Sequence, residues 1–414
     1  MSRVRSSRFA RYAVALLVVA LTAWALLISL GGKVAEGPRT RTFGGDFALN
    51  VTGALVTRAA GNPYDQSQII AAQRTFFPRQ GIRTFQDRLT KLLTWQGYPP
   101  LYFWLLQPVT VLPFKVIGSI WIAALYGLMG LGFFCILGFF GWRRRLVPTM
   151  LFMCMPQVML QAYYGNPEAL VFAVIGCALV LQRRLPLLGG ALMSLAWLKP
   201  QMGVPAILLI ALFYVADRRR FLLGLTLGTA GLVLVDLLAT GIHPLFAWIR
   251  EMRSVSQIAG GQPNMIPLVG LYADHVSASA RTLIEAVVLL GALALTGATW
   301  LRVRREEAVA PARVGWLWTV WLLALPYAHF PEEMLLCIGL LPFLGRDGRR
   351  LYELGPLLAL YALFGSVILF YQEPFGVQML SFPLIGIGIA LYRARYQRDV
   401  PATSVEAGPA PAVV

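Results

Sequence analysis

An all-α, polytopic membrane fold is predicted, on three observations. Hydrophobic residues fill 57% of the 414 positions and charged residues only 13%, where soluble domains carry about 25% charged residues. Apolar runs of the length needed to cross a ~30 Å hydrocarbon layer recur from end to end. Short arginine clusters separate these runs: Arg143-Arg144-Arg145, Arg183-Arg184, Arg218-Arg219-Arg220, Arg302/Arg304/Arg305, Arg346/Arg349/Arg350 and Arg393/Arg395/Arg398. Within hydrocarbon the backbone must satisfy its own hydrogen bonds, so each run is predicted to be a helix.

The first run, 12–31, follows Arg3, Arg5, Arg8 and Arg11. It is too long for the apolar core of a usual signal peptide, and its small-residue triplet Ala23-Trp24-Ala25 lies inside it. It is predicted to be a retained helix with a cytoplasmic N-terminus. Further spans are predicted near 116–141, 147–163, 168–182, 187–199, 202–216, 221–240, 282–301, 314–329, 333–345, 354–370 and 376–392, about twelve in all. Alternation from the first helix puts every arginine cluster in the cytoplasm, the positive-inside pattern of an inner-membrane protein with both termini inside. Residues 1–395 read as a single transmembrane domain. The Pro- and Ala-rich tail 396–414 reads as a disordered cytoplasmic segment.

One segment tests this count. Residues 99–114 are apolar but broken by Pro108 and bounded by Pro99 and Pro113. If they crossed, every later cluster would move outside. They are predicted to be a re-entrant or interfacial helix on the outer face, since Pro-broken segments are tolerated at membrane depth where they line a cavity. This leaves a long first external loop, 32–115, and a second at 240–281. Polar mass on one face points to work done on that face. The halves show no repeat.

Other classes are excluded by placement. The net charge of +17 is spread between spans, without the single basic, aromatic-lined face of a nucleic-acid-binding domain. Cys135, Cys154, Cys177 and Cys337 all lie in apolar runs, with no disulfide framework or metal spacing. No acidic pair has a divalent-ion spacing. No metal or cofactor is expected.

The candidate residues lie at predicted outer helix ends. Asp46, in Gly44-Gly45-Asp46-Phe47, has two readings: an N-cap for the helix that follows, or a general base at the water edge of a cavity. Gly61-Asn62-Pro63-Tyr64-Asp65 is turn punctuation. Tyr98-Pro99-Pro100 is an extended lead into the re-entrant segment. Gly165-Asn166-Pro167-Glu168 and His329-Phe330-Pro331-Glu332-Glu333 each join two spans. Lys199-Pro200-Gln201 interrupts apolar sequence. An ionisable residue there is usually functional, the alternative being a lysine that snorkels to the interface. On the interfacial placement, Lys199→Met is expected to leave the fold intact.

In this order the motifs resemble glycosyltransferase family 87, of the membrane-embedded GT-C superfamily. The matching pieces run over roughly 40–345: Gly45-Asp46-Phe47, Gly61-Asn62-Pro63-Tyr64, Tyr98-Pro99-Pro100-Leu101 with the later Leu112-Pro113, Gly165-Asn166, Leu198-Lys199-Pro200-Gln201 and the Pro326/His329 segment before Leu335. The family often has Gly-Gln where this chain has Gly165-Asn166. The resemblance implies a GT-C-type fold and an inverting hexosyltransferase. Its donor would be a polyprenyl-phosphate sugar, mannose being the best-known case, and its acceptor a lipid-linked or glycan hydroxyl on the external face. Asp46 and His329 become the catalytic candidates. Lys199, Gln201, Asn166, Tyr98, Tyr64 and Glu332 become the donor- or acceptor-binding candidates. A multi-pass secondary transporter is the alternative, but carriers usually show repeated halves with sites near the bilayer midplane.

Overall fold

The computed structural model describes residues 45–79, 96–153, 155, 158, 161, 165–259, 268, 275–304, 311–326, 330–344 and 381–394. Its helices are α1 (Gly45–Arg58), α2 (Gln66–Arg79), α3 (Pro100–Leu106), α4 (Phe114–Phe139), α5 (Leu146–Met153), α6 (Glu168–Leu181), α7 (Pro186–Met193), α8 (Pro200–Phe213), α9 (Arg218–Thr240), α10 (Ile242–Ala259), α11 (Ala278–Val303), α12 (Pro311–Val314), α13 (Trp316–Ala324), α14 (Leu336–Leu344) and α15 (Ser381–Ala394). Short 3-10 stretches, Gln107–Val111, Ser194–Leu198 and Phe330–Leu335, extend α3, extend α7 and lead into α14. There is no strand among the described residues.

Among the described residues, three helices are long and apolar enough to cross a membrane: the Val116–Phe139 part of α4, α9 and α11. At ~1.5 Å per residue each exceeds a ~30 Å core. Their outward faces carry large exposed hydrophobics, including Leu234, Leu238, Val287 and Leu290. A continuous apolar exterior on this scale is stable in lipid and not in water. The chain is a helical membrane protein. The predicted spans 12–31 and 354–370 and the tail 396–414 lie outside the described residues. Of the predicted span 147–163, the structure describes α5 and scattered positions beyond it.

The predicted break at 99–114 takes a definite form. Pro99 is extended (φ −64°, ψ 155°), and α3 starts at Pro100. Seven helical residues and five of 3-10 helix follow. At ~1.5–2.0 Å per residue these cover only about 20 Å, too little to span. Leu101, Tyr102, Phe103 and Leu106 are buried, whereas Leu105 and Val111 are exposed.

Helices α6, α7 with its 3-10 extension, and α8 are shorter than the three long spans. The chain turns sharply at Lys199, bringing the start of α8 so close to the 3-10 stretch that a Cβ on Gly203 would lie 2.3 Å from the Ala196 carbonyl oxygen. At the far end Gln182 Nε2 donates to the Tyr214 carbonyl at 3.2 Å. Residues 182 and 214 thus share one end, and residues 168 and 199 share the other. The arginines at the first end also cap helices. Arg218 donates to the carbonyls of Ala211 and Leu212, both at 2.8 Å, and Arg183 donates to that of Phe139. A cation on C-terminal carbonyls satisfies orphan acceptors and opposes the helix dipole.

Helices α7 and α9 touch backbone to backbone through reciprocal glycines. A Cβ on Gly190 would lie 1.9 Å from the Phe221 carbonyl oxygen, and one on Gly224 1.9 Å from that of Leu187. Small residues permit this approach between membrane helices. Gly190→Val is expected to destabilise by about 1–3 kcal/mol or more, as overpacking does. The readout is the thermal midpoint of the detergent-solubilised protein; an unchanged midpoint would refute the contact.

Candidate active site

Three chain breaks converge at the end of the bundle opposite the capping arginines. The first lies between Gln161 and Glu168. Gly165 has φ +78°, a conformation that favours glycine, and Pro167 precedes α6. The second is Lys199, whose own residue (φ −136°, ψ 89°) leads into Pro200 at the start of α8. The third is the 3-10 stretch Phe330–Leu335. Each break carries a proline or glycine within an apolar region and holds a polar side chain there.

Lys199 sits at the centre and is 3% exposed. Its Nζ donates to Glu168 Oε1 and lies 2.6 Å from Glu332 Oε1. The second contact is an ion pair at close range without hydrogen-bond alignment. Both carboxylates are fully buried. Gln161 Nε2 supports Glu168, donating to its Oε2 at 2.6 Å and to the Asn166 carbonyl at 2.7 Å. Glu333 is 3% exposed, and neither of its carboxylate oxygens has a hydrogen-bond partner among the described residues.

This placement corrects two readings of Lys199. It does not snorkel, because it is enclosed and paired. Nor is its replacement neutral for the fold, because removing one member of a buried ion pair strands the opposite charge, at about 3–5 kcal/mol.

The other candidates join the same region. Tyr98 donates its hydroxyl to Asn166 Oδ1 at 3.1 Å, and Tyr64 donates to the Tyr98 carbonyl at 2.6 Å. Burial, followed by the charges of Asp236 and Glu251, raises the Tyr64 phenol well above its ordinary pKa, so it stays a neutral donor. Gln201 follows Lys199 by two residues, and its Oε1 is buried without a hydrogen-bond partner among the described residues. Asp65, by contrast, caps α2: it accepts from the Ser67 N–H at 2.9 Å, the Ser67 hydroxyl at 2.6 Å and the Gln68 N–H at 3.4 Å. The Ser67 hydroxyl bond is the main cause that lowers its pKa. The turn predicted at Gly61–Asp65 is therefore a turn with a cap.

Asp46 is the second residue of α1, inside the helix and not at the N-cap position expected from the sequence. Its neighbour Phe47 is buried, stacks on Trp121 with centroids 5.2 Å apart, and abuts Gly165, where an added Cβ would come within 2.7 Å of the Phe47 Cβ. Trp121 Nε1 donates to the Gly165 carbonyl at 2.7 Å. The start of α1 is thereby pinned beside the Gly165-Asn166 connection. His329 lies outside the described residues.

Reading the sequence missed three contributors. Glu168 closes the Gly165-Asn166-Pro167-Glu168 motif, and the family resemblance assigns it no role. Gln161 was one amide in an apolar run. Asp236, buried in α9, accepts from the Leu101 N–H and from the Thr240 hydroxyl, the latter at 2.9 Å. It thus caps α3, which has no side-chain cap of its own. A lone acid in a predicted span was the available signal.

A helical membrane protein with a walled charge cluster among broken helices is the class that fold and site define. Residues 95–326, more than half of the chain, match glycosyltransferase family 87. The chain belongs to that family and is a glycosyltransferase, which answers the transporter alternative. No curated protein and no solved structure matches it. The matched stretch contains Tyr98, Asn166, Lys199 and Gln201; Asp46 and Tyr64 precede it, and His329 and Glu332 follow it.

Proposed function

We propose that the protein moves a hexose, with mannose the best-known case in the family, from a polyprenyl-phosphate donor to a lipid-linked or glycan hydroxyl. Transfer takes place on the external face of the inner membrane with inversion at the anomeric carbon. The observation that carries this reading is the convergence of Tyr64, Tyr98, Asn166, Lys199 and Glu332 at the bundle end remote from the arginine caps. Helix α6 has 14 residues, or ~21 Å, against a ~30 Å core. With the arginine end at the cytoplasmic interface, Lys199 is recessed below the outer surface. A lipid donor whose phosphate dips to that depth needs such a recess.

In the proposed chemistry the acceptor hydroxyl oxygen forms a bond to the anomeric carbon as the bond from that carbon to the phosphate oxygen breaks. Asp46 takes the hydroxyl proton, and polyprenyl phosphate leaves. One displacement inverts the centre, so no protein nucleophile is required. His329 orients Asp46 or shares its proton. Lys199 stabilises the leaving phosphate. Gln201, Asn166, Tyr98, Tyr64 and Glu332 shape the donor and acceptor sites. The test is incubation of purified protein with a panel of polyprenyl-phosphate sugars, scoring loss of sugar from the donor. Turnover of none, with an acceptor extract present, would overturn the reading.

The orientation is tested separately. In a background lacking the native cysteines, positions 87 and 262 should label from outside sealed cells and positions 144 and 219 should not. Labelling at 144 but not at 262 would overturn the twelve-helix topology.

A further inference from the structure

Helix α10 (Ile242–Ala259) lies in the second predicted external loop, and its described side chains sort into three faces. At ~100° per residue, Ile242, Phe246 and Ile249 fall within roughly 60° of arc. They are 52%, 55% and 45% exposed. His243 and Arg250 project on one flank of this stripe and are also exposed. The opposite face turns inward. Ala247 is buried, Trp248 Nε1 donates to the Gly97 carbonyl at 3.4 Å, and Glu251 is half-buried.

An apolar stripe flanked by basic groups, with low overall hydrophobicity, is the pattern of a helix lying in a bilayer interface. The chain path agrees. Gly241, with φ +82°, is the single residue between α9 and α10. Leu234 and Leu238 near the end of α9 are 57% and 79% exposed, as lipid-facing residues of a span are. Helix α10 therefore begins where α9 leaves the hydrocarbon, and its exposed stripe continues that apolar surface.

We propose that α10 is seated on the outer leaflet of an anionic phospholipid bilayer. Ile242, Phe246 and Ile249 enter the acyl boundary, and Arg250 lies at the lipid phosphates. Through Trp248 the seated helix braces the Gly97-Tyr98 segment of the chain, whose Tyr98 carbonyl accepts from Tyr64. The bilayer thereby sets the position of the Tyr64–Tyr98–Asn166 side of the site. This rests on the chain's being membrane-embedded and not on the identity of the transferred sugar.

The test uses full-length protein lacking Cys135, Cys154, Cys177 and Cys337, reconstituted in phosphatidylglycerol or phosphatidylcholine vesicles. Single spin labels replace Leu238, His243, Phe246 or Ile249, and collision with oxygen is compared with collision with a water-soluble nickel chelate. Labels at 246 and 249 should favour oxygen, as at 238, and the label at 243 should favour the chelate. Chelate-dominated collisions at 246 and 249 would place the helix in water and overturn the proposal. Shielding of both positions from both agents would show protein covering the stripe and would also overturn it. A chelate-dominated label at 238 would remove the bilayer from this face, and the proposal with it. Arg250→Glu should make the label at 246 shallower in phosphatidylglycerol only; an equal effect in both lipids would remove the phosphate contact.

Discussion

Asp46→Asn is expected to express, purify and bind the lipid donor normally while sugar transfer falls ~10²–10⁴-fold, the usual cost of losing a general base. Asp46 is the second residue of α1 and not its N-cap, so no cap is lost with the carboxylate. Loss of the negative charge in a first helical turn costs only about 0.3–1 kcal/mol. The burial of Phe47 against Trp121 and Gly165 holds the start of α1 in either variant. Stability and donor binding therefore report on structure, and transfer reports on the proton. Purified variant and parent would be compared by thermal midpoint, donor binding and single-turnover transfer. Near-normal transfer by the variant would return Asp46 to a purely structural role.

Lys199→Met should have two effects with separate origins. Transfer is expected to fall on the order of 10²-fold, as for loss of one preorganised charge that stabilises a leaving group. The fold should lose about 3–5 kcal/mol, because Glu168 and Glu332 are left buried without their cation. The triple variant Lys199→Met/Glu168→Gln/Glu332→Gln removes all three charges and separates these effects. Neutral amides carry no stranded charge, so its thermal midpoint should recover much of the loss while transfer stays low. Recovery of transfer along with stability would make Lys199 a strut that holds three chain breaks together. Unchanged turnover in Lys199→Met would exclude it from the leaving-group site.

The membrane class, the side on which arginines gather, and the places where helices stop were legible along the chain. Hydrocarbon imposes a constraint that is local in sequence: a span needs enough consecutive apolar residues, and proline, glycine and charge mark its ends. That is why the breaks at Pro99-Pro100, Gly165-Asn166-Pro167 and Lys199-Pro200 all appear where they were read. The partners of those residues were not legible. Glu168 lies 31 residues before Lys199, and Glu332 comes from a still more distant connection. Nothing in the spacing distinguishes an enclosed triad from a lysine reaching for the interface. Asp236 likewise reads as one acid in a span until α9 is packed against α3 and the acid is found at an uncapped helix start. Burial converts each of these polar groups from a tolerable surface residue into one that must be paired. Pairing across distant segments is set by which helices touch, through contacts such as Gly190 on Phe221 and Gly224 on Leu187, and close packing in three dimensions has no counterpart in the one-dimensional rule that lipid imposes.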